Sequence, residues 1–181
     1  MRIPYVTSVA LLIAFAFCLI WLLLVVSSPY MVPSGTLTDL SGSVNVRDNV
    51  DQFRDLDSLP KAVYSIGDVE CHQIKERSYF LNGNEMPFCT RDLGLFAGLA
   101  GAFGLTTFYR LRYNPLLLML GLVPLGLDGG VQLVTDYESN NPVRLVTGII
   151  AGAALALILA QFVFQMQDDI KRKASKNPSK T

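Results

Sequence analysis

The sequence predicts an all-α membrane protein with four transmembrane helices and a helix-containing extracytoplasmic segment between helices 1 and 2. Three observations predict it. Half of the 181 residues are hydrophobic (51%) and the mean hydropathy is +0.38. Four apolar stretches are long enough to approach the roughly 20 residues that a helix needs to cross a bilayer. Charges sum to zero yet sit almost wholly between and after those stretches. No basic patch exists beyond a short tail, which excludes nucleic-acid binding.

The first stretch is Tyr5–Val26. Arg2 precedes it, as in a signal peptide, but its apolar run exceeds the usual 7–15 residues and SSPYMVPSG is not a clean small-x-small cleavage site. A retained signal anchor over residues 1–27 is therefore expected. Residues 28–58 read as an extracytoplasmic linker, since SSPYMVPSGTLTDLSGS is rich in Ser, Gly and Pro. NVRDNVDQFRDLDSL, at its end, is read as a short surface helix.

A motif-bearing membrane domain is expected over residues 59–166. It opens with a surface helix in PKAVYSIGDVECHQIKE, where Pro60 suits a helix start and Val63, Tyr64, Ile66 and Ile74 supply an apolar face. LNGNEMP follows as a turn or hairpin around Asn82-Gly83-Asn84. The second apolar stretch, Leu93–Tyr109, carries Gly94, Gly98, Gly101 and Gly104, and the fourth, Val143–Met166, carries Gly148 and Gly152. Small residues four apart let helices pack closely in lipid. The third stretch is Pro115–Val134. Asn140 and Asn141 before Pro142 make a cap-then-proline helix start. Residues 167–181 form a basic tail.

Short-loop charges set the orientation. RLRYN carries Arg110 and Arg112, the tail carries five Lys and Arg after its two aspartates, and TDYESNNPV carries Asp136 and Glu138 with no base. The expected location is the cell membrane, multi-pass, with both termini cytoplasmic and residues 28–91 outside.

Unusual residues converge at the outer level. Asp128 lies roughly 20 Å along the third stretch from its cytoplasmic start, with Gln132 on the same face. Arg91 and Asp92 stand at the outer end of the second stretch, and Arg144 at the outer end of the fourth. Ionisable groups in membrane segments point to function. Nearby, VECHQIKERS holds Cys71, His72 and Arg77, and Cys89 stands just before Arg91. Three readings of the cysteines stay open. A Cys71–Cys89 disulfide would close a loop of about 19 residues and add roughly 3 kcal/mol. A metal centre would use Cys71, His72, Cys89 and Asp92, a donor set that suits zinc. A free thiol would act as nucleophile with His72 as base. Cys18 is read as an inert buried cysteine.

ECHQIKERSYFLNGNEMPFCTRDLG, LDGGVQ and ESNNPVRLVTG together resemble a family of small bacterial and archaeal membrane proteins of unknown function, over residues 64–152. The resemblance marks Cys71, His72, Gln73, Arg77, Ser78, Cys89, Arg91, Gly94, Asp128, Gly129, Gln132, Asn141, Arg144, Thr147 and Gly148 as motif positions. Where the commoner form has a second cysteine, this chain has Asp92. That departure removes a C-x-x-C dithiol and leaves a mixed-ligand metal site.

Three functions compete. One is a zinc-type membrane enzyme acting on a lipid or another anionic small molecule, with Asp128 as ligand-orienting group or general base and Arg77, Arg91 and Arg144 on the anion. The second is a non-catalytic membrane subunit with a structural disulfide. The third is a small-ion or metal carrier, which the lack of internal repeats disfavours unless the chain forms a homo-oligomer or joins a membrane complex.

Overall fold

The computed structural model describes residues 8–111 and 113–176. Arg2, Arg112 and Lys180, used above for orientation, lie outside the described residues. Helix α1 runs Val9–Ser27 and continues into a 3₁₀ turn, Ser28–Tyr30. Helix α2 is Ser58–Glu70, and strands β1 (Phe80–Leu81) and β2 (Asn84–Glu85) form an antiparallel hairpin. Helices α3 (Thr90–Phe108), α4 (Pro115–Met119), α5 (Val123–Val134) and α6 (Asn141–Lys176) follow.

The expectation of four transmembrane helices is overturned. Among the described residues, two helices are long and apolar enough to cross a membrane, over Val9–Tyr30 and Asn141–Ser175. Helix α3 opens with Arg91 and Asp92 and is diluted by glycine and threonine. The third predicted crossing is broken into α4, a 3₁₀ turn at Leu120–Leu122, and α5. Pro124, in the first turn of α5, has no N–H to offer the carbonyl one turn back. The all-α expectation also needs correction, because the Asn82-Gly83 turn closes a small β-hairpin, with both residues at positive φ. NVRDNVDQFRDLD is a run of turns rather than a surface helix, and the SL after it opens α2.

Helices α3 and α6 run parallel and touch along a glycine seam. A Cβ on Gly94 would lie 2.3 Å from the Leu145 carbonyl oxygen, and one on Gly98 2.2 Å from that of Ile149. Helix α1 runs antiparallel to α3. Trp21 stacks edge-on against Phe96, and Phe15 meets Gly104. Leu11, Phe103, Ala156, Ala160 and Phe164 form the core where these three helices meet.

The segment between α1 and α3, residues 28–89, has its own core of Val32, Leu37, Leu40, Phe53 and Tyr64. Buried Asn84 ties it together: its Oδ1 accepts from the N–H groups of Thr36 (2.9 Å) and Leu37 (3.0 Å), and its amide donates to the Pro29 carbonyl (2.9 Å). One contact matters most for the site. A Cβ on Gly67 would lie 1.9 Å from the Pro87 carbonyl oxygen. Helix α2 therefore packs its backbone directly on the strand exit and carries its C-terminus up to the start of α3.

Candidate functional site

Cys71 is the first residue beyond α2 and Cys89 the last before α3. The Gly67–Pro87 contact brings these two ends together, and Gln73, held at a φ of 46°, reinforces it by donating from Nε2 to the Pro87 carbonyl at 3.0 Å. The Cys89 N–H donates to Cys71 Sγ at 3.3 Å, and Cys89 Sγ lies 3.1 Å from Asp92 Oδ2. One donor atom from each of Cys71, Cys89 and Asp92 falls within 4.8 Å of the others. Cys71 is buried and the other two are half-buried. Cys71 shares a buried apolar cluster with Val25, Val63, Met86 and Phe88.

The thiols are pushed apart in acidity. A hydrogen bond from the Cys89 thiol lowers the pKa of Cys71 against the opposing effect of burial. Donating that proton, burial and the nearby charges of Cys71 and Asp92 raise the pKa of Cys89. Cys71 is therefore the sulfur that ionises first.

His72 does not join the three donors. The backbone is extended at Cys71, so successive side chains diverge. The His72 ring is exposed, with Nδ1 3.4 Å from the Gly42 carbonyl oxygen. It still forms part of the wall of a cleft of about 70 Å³ that also holds Cys71, Cys89, Arg77, Arg91 and Arg144.

The far wall is a polar network on α3, α5 and α6. Arg91 Nη2 pairs with Asp128 Oδ2. Ser139 Oγ donates to the same carboxylate oxygen at 3.2 Å and accepts from Arg144 Nε at 2.9 Å and Gln132 Nε2 at 3.0 Å. Arg144 Nη2 donates to Gln132 Oε1 at 3.0 Å. At the rim, Arg77 pairs with Glu138 at 2.7 Å, and the guanidinium holds the Glu138 carboxyl below its ordinary range. Asn141 donates to the Ser78 carbonyl at 3.3 Å, joining the 28–89 segment to the start of α6.

Two residues of this network carried no strong sequence signal. Ser139 is a loop serine in ESNNP, yet it is buried at the centre of the hydrogen bonds. Gly67 looked like an ordinary helix residue, yet its missing side chain permits the approach of the two cysteines.

A family model described as "Predicted membrane protein (DUF2085)" matches residues 71–158. That span begins at Cys71 and takes in Cys89, Asp128 and Arg144. An uncharacterised protein of Methanocaldococcus jannaschii is 30% identical over 109 residues, covering 58% of this chain and 70% of that protein. An uncharacterised protein of Methanothermobacter thermautotrophicus is 34% identical over 91 residues, covering 49% of this chain and 82% of that protein. No solved structure matches.

Proposed function

The chain belongs to the DUF2085 family of predicted membrane proteins, and on that premise we propose that it is a metal-dependent membrane enzyme. Its metal centre, at the outer membrane interface, is built from Cys71, Cys89 and Asp92. The observation that carries the reading is the convergence of two sulfurs and a carboxylate oxygen within 4.8 Å. Two thiolates and a carboxylate suit zinc, which takes sulfur and oxygen ligands and leaves a fourth position for a small ligand in catalytic sites. His72 stands at the cleft and would reach the ion only after a turn of its side chain. Asp128, tied to Arg91 and Ser139, serves as the orienting carboxylate and not as a free base. The substrate would be a lipid or another anionic molecule entering from the membrane surface.

The proposed placement is a multi-pass protein with both ends cytoplasmic. The opposite directions of α1 and α6 support it, as do the basic residues Lys171, Arg172 and Lys173 at the end of α6.

The second reading is a structural Cys71–Cys89 disulfide in a non-catalytic subunit. The hydrogen bond between Cys89 N–H and Cys71 Sγ favours it, since it already places the sulfur against the other cysteine. One experiment separates the two. Protein purified in detergent under metal-replete conditions should hold one equivalent of zinc, and Cys89→Ser or Asp92→Ala should lower that content several-fold. Metal affinity should also fall on acidification, because bound thiols must lose their protons. Absence of metal, together with no titratable thiol at Cys71 or Cys89, would establish the disulfide instead.

A further inference from the structure

We infer that the cleft between the cysteines and the α5–α6 loop is an oxyanion subsite, taking a phosphate-type tetrahedral group on Arg144, Arg91 and Arg77. It names the class of anionic group that the proposed enzyme would hold, and it stands on the arginines alone, whether or not the thiols bind an ion.

Positive charge exceeds negative charge in the cleft. Three guanidinium groups line the cleft. Arg77 is paired with Glu138 and Arg91 with Asp128. Arg144 is 2% exposed, and its hydrogen-bond partners are the neutral Ser139 and Gln132. Glu138 acts on it only at longer range and is already paired with Arg77, so three guanidinium groups share two carboxylates, and the buried one carries a desolvation cost that a further anion would offset. The Arg91 Nε is also buried with no partner among the described residues. A lone carboxylate could balance the charge. A tetrahedral oxyanion does more, because it offers oxygens in several directions to guanidinium groups arriving from α3, α6 and the Ile74–Ser78 turn. Guanidinium forks match phosphate oxygens in geometry. The opening, of about 70 Å³, suits a single head group and no larger polar molecule.

The test uses the full chain in detergent. Its thermal unfolding midpoint is followed against inorganic phosphate and sulfate, with chloride at equal ionic strength as control. In a second arm, phosphatidic acid in mixed micelles is compared with diacylglycerol of the same chains. The expected result is a saturable rise with a tetrahedral oxyanion and none with chloride or diacylglycerol. Saturation by inorganic phosphate identifies a free anion as the occupant. A rise with phosphatidic acid alone identifies a lipid head group. Arg144→Gln should weaken the binding at least about tenfold, which is 1.4 kcal/mol, while leaving the anion-free protein as stable as before or more so. A merely structural arginine would instead show lost stability in that variant. Arg77→Gln, at the half-exposed rim, should weaken binding several-fold and keeps the test open should Arg144→Gln fail to fold. No saturable rise with any oxyanion, or unchanged affinity in whichever of these variants folds, overturns the proposal.

Discussion

Glu85 is fully buried in the 28–89 segment, with one carboxyl oxygen accepting from the Leu40 N–H at 3.2 Å and the other unpartnered among the described residues. Burial pushes its pKa from 4.5 up to about 7, against the lowering effect of the Leu40 N–H and the Ser78 hydroxyl. The sign follows from linkage. A raised acid holds its proton longer when folded, so its contribution to stability is complete below pH 4.5 and is lost as pH rises toward about 7. Unfolding midpoints measured between those values should fall with rising pH, and Glu85→Gln should flatten the slope. Asp128 offers a second test at this scale. Its side chain is 6% exposed and that of its partner Arg91 25%. Asp128→Ala strands the guanidinium and the Ser139 hydroxyl and should remove about 3 kcal/mol. Asp136→Ala, at an exposed position in the loop above, should stay within about 0.5 kcal/mol. Equal tolerance of the two changes in denaturation would show that the pair contributes nothing.

Over their first turns, helices α3 and α6 meet backbone to backbone. Cβ atoms on Gly148 and Gly152 would approach the carbonyl oxygens of Arg91 and Leu95 to 2.3 Å and 2.2 Å. Backbone atoms cannot rotate aside as a side chain does. Gly98→Ala should therefore push the helices apart and lower stability by about 1–3 kcal/mol. Gly126→Ala in α5 meets nothing within 4 Å and should leave the midpoint unchanged or raise it through helix propensity, by about 1 kcal/mol at most. The seam also has a functional consequence. Gly148 faces the carbonyl of Arg91, so the seam sets the spacing between Arg91 and Arg144 across the cleft. Gly101, read with the other glycines as a packing signal, meets nothing within 4 Å, and Gly104 serves the contact with α1 through Phe15.

For the whole molecule, the proposed orientation puts the outer segment and the cleft on one side and both ends of the chain on the other. A reporter active only in the cytoplasm should work when fused after Lys176 and fail when inserted at exposed Gly35. The opposite pattern would invert the assignment. The orientation decides which compartment supplies the oxyanion and whether a Cys71–Cys89 disulfide would meet oxidising conditions.

Uninterrupted apolar runs were enough to mark α1 and α6 as candidate spans, because hydropathy summed over a long helix does not depend on what surrounds it. The Asn82-Gly83 turn and the α2 apolar face of Val63 and Tyr64 were legible for a similar reason, since turn chemistry and periodicity are local. The interruption at Pro124 was also in the sequence, but an average over the third stretch does not register one lost backbone hydrogen bond. The gathering of Cys, Asp and Arg at one level was readable from helix length. Which of them touch was not. Asp128 pairs with Arg91 rather than Arg144 because of the register of three packed helices. Cys71 reaches Cys89 because Gly67 lies against Pro87. His72 turns away because the chain is already extended where the helix ends. Each of these depends on contacts between residues far apart in the chain, and only packing decides them.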